Sequence, residues 1–365
     1  MFWSDGQLVW DDYLEHRQYA LADGVERALR WFTDFRDVDS VENLEPGRDW
    51  RQVAAALVKR NILVTEDSPR HRQEESVTAS WSAWGPMAQA FHFSTRSLAR
   101  TAMRTIEQDG TRLEAKKHTD PPPPAFMTVP HTTRIALPPV DPTVWQHRDL
   151  IDVLHRRRSN RVFSNQPLPL ATASALLHTA AGPLRRVPGR VTPECGPVMA
   201  PGGILADDLQ QVFKTSPSGG ARHPTEIYLY ARNVAGLEPG AYHYAAADHA
   251  LEQLGRSLDD EQLVAAVGDQ AWVGGAAALI FYTSVIARSQ WKYNFPRNYR
   301  ALMMDIGHLS QTVYLLATAA DLHVTYTAAL RDETVEELLG CDPVRQLVIG
   351  TSVIGMPDRA CPAPA

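Results

Sequence analysis

The chain has 365 residues, 44% hydrophobic and 21% charged, which gives room for two domains and a sizeable core. A formal net charge of -6 argues against a general nucleic-acid binder. No apolar run approaches the ~20 residues that span a bilayer, and no basic segment followed by an apolar one marks the N-terminus, so the expected compartment is the cytoplasm. Cys195, Cys341 and Cys361 are widely spaced and form no CxxC, so neither a metal site nor a disulfide framework is expected.

In chain order, Gln7–Tyr13 and Gln18–Leu21 read as short strands. Val25, Leu29, Phe32 and Phe35 recur at helical spacing behind Asp23 as N-cap, and Asp49–Arg60 forms an amphipathic helix ending at Asn61. Ile62–Thr65 is expected to begin an extended segment. Residues 1–75 therefore read as a winged-helix-like domain, which is an inert packing domain, a dock for an extended peptide, or a DNA reader. Trp81, Trp84, Phe91 and Phe93 suggest an aromatic loop entering a helix at Ser94–Met103. Lys116–Pro142, basic and proline-rich, reads as a stiff connector, so 76–147 forms the second segment.

Asp149–Leu154 begins a helix leading into a run with four arginines in six residues: Arg156, Arg157, Arg158 and Arg161, around Ser159. Guanidinium forks with a hydroxyl are what a phosphate site needs, although a solvated face has the same composition. Leu168–Ala181 reads as a helix. Lys214–Glu226 cannot be regular structure, because Pro217 and Pro224 fix φ and Gly219-Gly220 admit positive φ. With Arg222 and His223 beside it, this loop suits a flat anionic ligand, and it feeds a buried strand, Ile227–Ala231. A hairpin (Gly240–Tyr244, His249–Leu254), a short helix (Gln262–Val267) and a second buried strand (Ala276–Ser284) follow. Tyr299–Ala320 is a long helix with apolar positions Leu302, Met303, Ile306, Leu309, Val313, Leu316 and Ala317. Asp305 and His308 share a face of it and read as packing residues. Thr334–Leu339 is a short helix, and Gln346–Gly350 a third strand echoed by Ser352–Gly355.

Arg157-Arg-Ser-x-Arg-x-Phe163, then Ser216-Pro-Ser-Gly-Gly220 entering a strand, then Lys292-Tyr293 and a C-terminal Val-Ile-Gly strand, form a recognisable series. Over roughly 148–358 it resembles the flavin-dependent nitroreductase superfamily, and more closely the SagB/ThcOx-type dehydrogenases that oxidise azolines to azoles in ribosomally made peptides. The resemblance implies an α+β nitroreductase-like FMN-binding fold for 148–365, with a central mixed sheet flanked by helices in a domain-intertwined homodimer. It implies that Arg157, Arg158, Ser159 and Arg161 hold the phosphate and ribityl end of FMN, with Gly350 and Gly355 nearby. Pro217, Ser218, Gly219 and Gly220 would approach the isoalloxazine from the partner subunit. Lys292, Tyr293 or both would be the catalytic base, with Arg297 and Arg300 lowering the lysine's pKa. Arg222, His223, Tyr299 and Arg300 are expected to face substrate, because Ala221-Arg222-His223 is more polar than the family's usual continuation.

The expected partners are a precursor peptide and a cyclodehydratase or other maturation enzyme. A free-standing NAD(P)H-dependent nitro, quinone or ene reductase, which needs no docking module, is the alternative. A non-catalytic peptide-binding scaffold is the third reading.

Overall fold

A computed structural model of the chain describes residues 1–145, 148–188 and 210–358, so Cys195 and Cys361 lie outside the described residues. The chain divides into two units, Met1–Thr101 and Ala102–Ala365. No helix is long and apolar enough to cross a membrane.

The first unit opens with an antiparallel sheet of β1 (Phe2–Ser4), β2 (Gln7–Asp12) and β3 (Arg17–Ala20), in that order. Helices α1 (Val25–Trp31) and α2 (Trp50–Lys59) pack on one small core of Val25, Ala28, Val41, Trp50, Ala54, Leu57 and Ile62. Asp49 caps α2 by accepting from the Gln52 amide, whereas α1 starts from a left-handed Gly24, not from a side-chain cap on Asp23. Ile62–Thr65 forms no strand. Asn61 takes a left-handed turn (φ 56), and the amides of Ile62 and Leu63 return to the Leu57 carbonyl, which puts Ile62 in the core.

The aromatic stretch is helical. α3 (Pro69–Trp81) is capped by Ser68, and α4 (Gly85–Ser94) follows with proline in its first turn. Trp81 meets His92 at a tilt and Phe93 edge-on, with centroids 4.6 and 5.9 Å apart. Beyond Ser94 no helix forms up to Thr105. The Thr95 hydroxyl takes the Phe91 carbonyl (2.6 Å) and closes α4.

The second unit starts with α5 (Ile106–Thr119), fixed by a reciprocal Thr105/Gln108 capping box. It occupies part of the stretch expected to be a connector. So does β4 (Thr133–Ala136), which ends a seven-stranded sheet. Helices α6 (Leu150–Arg156) and α7 (Leu170–Ala181) come next, followed by a small ladder of β5 (Arg185–Pro188) and β6 (Gln210–Phe213). Then come β7 (Thr225–Ala231), β8 (Gly240–Ala245), β9 (Ala250–Gln253), α8 (Asp260–Ala266), β10 (Ala278–Val285), α9 (Ile286–Lys292) and α10 (Asn298–Ala319). β11 (His323–Thr327), α11 (Asp332–Leu339) and β12 (Gln346–Gly355) complete it. The last of these is one continuous strand, where two segments were expected.

The sheet order is β11-β12-β10-β7-β8-β9-β4. Each described ladder is antiparallel, not mixed as expected. β7, β8 and β9 reverse in sequence, and the connection through α8 returns the chain beside β7 in the opposite sense. β7 and β10 are near-continuous apolar runs because both faces are covered. Ile227, Leu229, Ile280 and Tyr282 face a core shared with Leu176, Ile306, Leu309 and Val313. Tyr228, Tyr230, Leu279 and Phe281 face the other core, with Leu263, Val335 and Leu338. Met303, expected among the buried apolar positions, is 36% exposed, and Met304 beside it is exposed too.

Candidate active site

Between β6 and β7 the chain turns through Gly219–Ala221, with left-handed backbone demanded at three of four residues: Gly220 (φ 65), Ala221 (φ 50) and His223 (φ 44). The turn is held by α10. The Asp305 carboxylate accepts from the Ser218 hydroxyl (2.6 Å) and the Gly219 amide (2.9 Å), while the Ser218 oxygen accepts from the His223 amide (2.9 Å). One face of α10 further along, Thr312 bonds Ser216 (2.7 Å). Burial raises the Asp305 pKa, against the hydrogen bonds from Ser218 and Gly219 that favour its charge. Asp305, read from sequence as a packing residue, is the anchor of the loop. A carboxylate seven residues before a hydroxyl on one helix face was the available signal.

Lys292 ends α9 and Tyr293 is its C-cap. The Tyr293 ring lies directly on Gly220, and a methyl there would collide with the phenolic hydroxyl. The structure therefore brings the Lys-Tyr pair and the Gly-Gly loop together within one chain. Lys292 is buried, with its ammonium 5.2 Å from the Tyr293 ring centroid. Burial brings its pKa down to about 8; Asp109 opposes this, while Arg222 and Arg112 assist. The assisting cations Arg222 and Arg112 are thus remote in sequence, where Arg297 and Arg300 were expected. Burial and Asp109 push Tyr293 in the other direction, up.

Arg222 and His223 are both buried. Arg222 lies 5.1 Å over the Trp291 ring and donates through Nε to the Arg288 carbonyl (2.9 Å). Burial, then Arg288, lowers its pKa to about 10, which leaves it charged at neutral pH. His223 faces the Val212 carbonyl (3.0 Å), so Nε2 carries its proton; burial and Lys214 hold it near 3 and neutral. Lys214, half-buried, is lowered to about 8 by burial, with Glu226 opposing and Arg288 assisting. Lys214, Ser218, His223, Thr225, Asp305 and Leu309 line a small open cleft. Tyr299 and Arg300 stand at the start of α10, Tyr299 exposed.

Beneath the loop runs a buried chain of charges. Arg288 pairs with Glu226 (2.6 Å) and donates to the His223 carbonyl (3.1 Å) and to the Pro124 carbonyl (2.8 Å). Glu226 faces His243 Nε2 (3.1 Å), and His243 Nδ1 faces Glu252 (2.8 Å). Glu252 also accepts from the Val129 amide (2.8 Å) and pairs with Arg134 (3.2 Å). Burial opposes the charge on His243, but Glu226 and Glu252 outweigh it and raise its pKa.

At the other end of α10, Tyr314 collects the arginine segment. Its hydroxyl bonds Ser159 (3.0 Å) and the Tyr326 amide (2.7 Å), and the Arg157 guanidinium lies 5.4 Å over its ring. Arg161 lies 5.6 Å over Trp272. Gly350 faces the Tyr326 hydroxyl and Gly355 faces Phe163, so both glycines border this region. Arg158 donates to the His155 and Arg157 carbonyls. Among the described residues Arg157, Arg158 and Arg161 have no carboxylate partner, whereas Arg156 is held by Asp152 (2.7 Å) and Asp321 (3.0 Å). Three arginines that flank the Ser159 hydroxyl in the chain, with no carboxylate partner among the described residues, fit a phosphate, and side-chain-free Gly219-Gly220 fits a flat ring. Asp305 and Tyr314, which mark the two places, are roughly 14 Å apart along the helix axis.

A model of the nitroreductase family matches residues 154–356. The chain is 33% identical over 193 residues to the nitroreductase-like protein MJ1384 of Methanocaldococcus jannaschii, covering 52% of this chain and 83% of that one. It is 32% identical over 149 residues to the trifolitoxin-processing protein TfxB of Rhizobium leguminosarum bv. trifolii, and that match spans 40% of each. A crystal structure of a nitroreductase-like protein from Anabaena variabilis superposes with TM-score 0.50 at 26% identity, over 74% of this chain and 47% of that one.

Proposed function

The chain belongs to the nitroreductase family, and from that premise we propose that it is an FMN-dependent oxidoreductase of SagB/ThcOx type that dehydrogenates a ring or related bond in a processed peptide. The observation that carries this reading is the Lys292-Tyr293 pair closed onto Gly219-Gly220, with the two pKa values driven apart. Two titratable neighbours pushed in opposite directions divide acid and base roles.

FMN, when bound, supplies the hydride acceptor. Arg157, Arg158, Ser159 and Arg161 would hold its phosphate end, and Pro217 to Gly220 would meet its rings. Lys292 Nζ, kept uncharged in a useful fraction by burial, removes the proton from the substrate carbon. Tyr293 keeps its phenolic proton and positions the reacting ring by hydrogen bonding. Arg222 and His223, both buried, act on substrate choice through the loop's shape.

The peptide substrate is supported by the similarity to TfxB, a trifolitoxin-processing protein. A second copy as partner is supported by the exposed apolar side chains Leu150, Ile151 and Leu154 on α6 and Met303 and Met304 on α10. Purified protein is expected to absorb near ~450 nm with FMN and to remove two hydrogens from an azoline-bearing precursor peptide, read by mass spectrometry. Oxidation of NAD(P)H with quinone or nitro acceptors and no change in peptide mass would favour the small-molecule reductase; a colourless protein even after FMN is added would favour the scaffold.

A further inference from the structure

α9, which carries Lys292, is seven residues long, has no side-chain N-cap bond and is too short to be stable unaided. The carbonyls of a helix's last turn need partners from outside it. Here they come from α5, which precedes the family-matched segment. Arg112 Nη2 donates to the Lys292 carbonyl (2.7 Å), and Lys116 Nζ donates to the Trp291 carbonyl (2.6 Å). Cations at this end also complement the helix dipole. Trp291 Nε1 returns a bond to the Asp120 carbonyl (2.6 Å), and its ring forms a buried pair with Leu113. Arg112 is itself aimed by Asp109, which accepts from its Nε (3.0 Å) and Nη2 (2.8 Å).

We propose that the Asp109–Arg112 pair on α5 is a positioning device for Lys292: it fixes the end of α9 and sets the balance of charge beside the ammonium. Its bearing on turnover rests on Lys292 being the base, as proposed above; the placement itself does not. Among the described residues, the charged and titratable groups facing Lys292 include Asp109 and Arg112 on α5, Arg222 in the loop and Tyr293 beside it. Arg288, one helical turn back, is already paired with Glu226. Asp109 and Arg112 act on Lys292 with opposite sign.

That opposition separates a charge-setting clamp from mere scaffolding. The chain has five lysines (Lys59, Lys116, Lys117, Lys214 and Lys292), so ¹³C-dimethylation and NMR titration of the full-length protein resolve each, with Lys292→Arg assigning its signal. Asp109→Asn is expected to lower the Lys292 midpoint and Arg112→Gln to raise it. Each shift should be at least about half a pH unit, the effect of a unit charge several ångströms away in a water-like dielectric. Arg112→Lys, which keeps the charge, is expected to stay near the wild type. Simple loosening of α5 would hydrate Lys292 and raise the midpoint in both charge-removing variants. That result, or no shift in either, overturns the proposal. Because the titration needs neither flavin nor substrate, opposite shifts with turnover that ignores them would count against Lys292 as base and leave the clamp standing.

Discussion

The Tyr293 hydroxyl lies where a side chain on Gly220 would have to begin. Gly220 also has left-handed backbone (φ 65, ψ 23), so two independent demands exclude a β-carbon there. Gly219→Ala meets only ordinary contacts, with Ala301 at 3.5 Å and Asp305 at 3.8 Å. Gly220→Ala is therefore expected to destabilise the protein by at least ~1–2 kcal/mol and to displace Tyr293. Gly219→Ala should cost under ~0.5 kcal/mol while weakening FMN binding. Thermal unfolding and flavin titration of the two variants check the contrast.

The activity profile should report the Lys292 amine. A base must be uncharged to accept a proton, and burial lowers this lysine to about 8, so activity is gained as pH rises through that value. Turnover should climb about tenfold per pH unit below the midpoint and level off above it. Lys292→Ala should abolish turnover with flavin retained, and Tyr293→Phe should reduce it. Oxidation left intact in either would remove that residue from the site.

Neighbouring arginines should behave differently. Arg157 has no carboxylate partner among the described residues, whereas Arg156 is paired with Asp152 and Asp321. Loss of a charge-assisted contact costs ~1.5–3 kcal/mol, so Arg157→Gln should weaken FMN binding by roughly tenfold or more. Arg156→Gln should leave it nearly unchanged. Fluorescence quenching of FMN measures both.

Acid should attack the charges beneath the loop. Burial would raise Glu226, but Arg288 and His243 outweigh it and hold the carboxyl at about 2. A depressed carboxyl stabilises fully above its ordinary value of 4.5, and that contribution is lost as pH falls toward about 2. Arg288→Met should cost ~3–5 kcal/mol near neutral pH by removing the guanidinium partner of a buried carboxylate that then retains His243. It should also flatten the dependence of stability on pH over that acid window, as urea unfolding across a pH series would show.

Where apolar pattern is continuous, sequence and structure agree: β7, β10 and α10 stand where their periodicity puts them, because burial on two faces leaves little choice of residue. α5 was not legible. Only Gly110 and Leu113 are buried along it, so no stripe marks it, and its last turn, Lys116-Lys-His, merges with the proline run. The partners of Lys292 were hidden for a related reason, since Arg112 and Arg222 reach it only through tertiary contact. The Glu226–His243–Glu252 series depends on strand register, which pairs His243 with Tyr228 on one side and Glu252 on the other. One chain read alone does not disclose such pairing.

Because β4 closes the sheet against β9, the stretch that a family comparison recognises is smaller than the stretch that folds. A chain trimmed to 154–356 would bare the outer edge of β9, leave Glu252 without Val129 and Arg134, and take Pro124 from Arg288 and Arg112 from Lys292. The natural edge, four residues with an ion-paired arginine, is short and charged as protected edges are. Its loss would turn a protected sheet edge into a template for strand addition between molecules. Expression boundaries for this chain are better drawn from the capping box at Thr105 than from residue 154, where the family match begins.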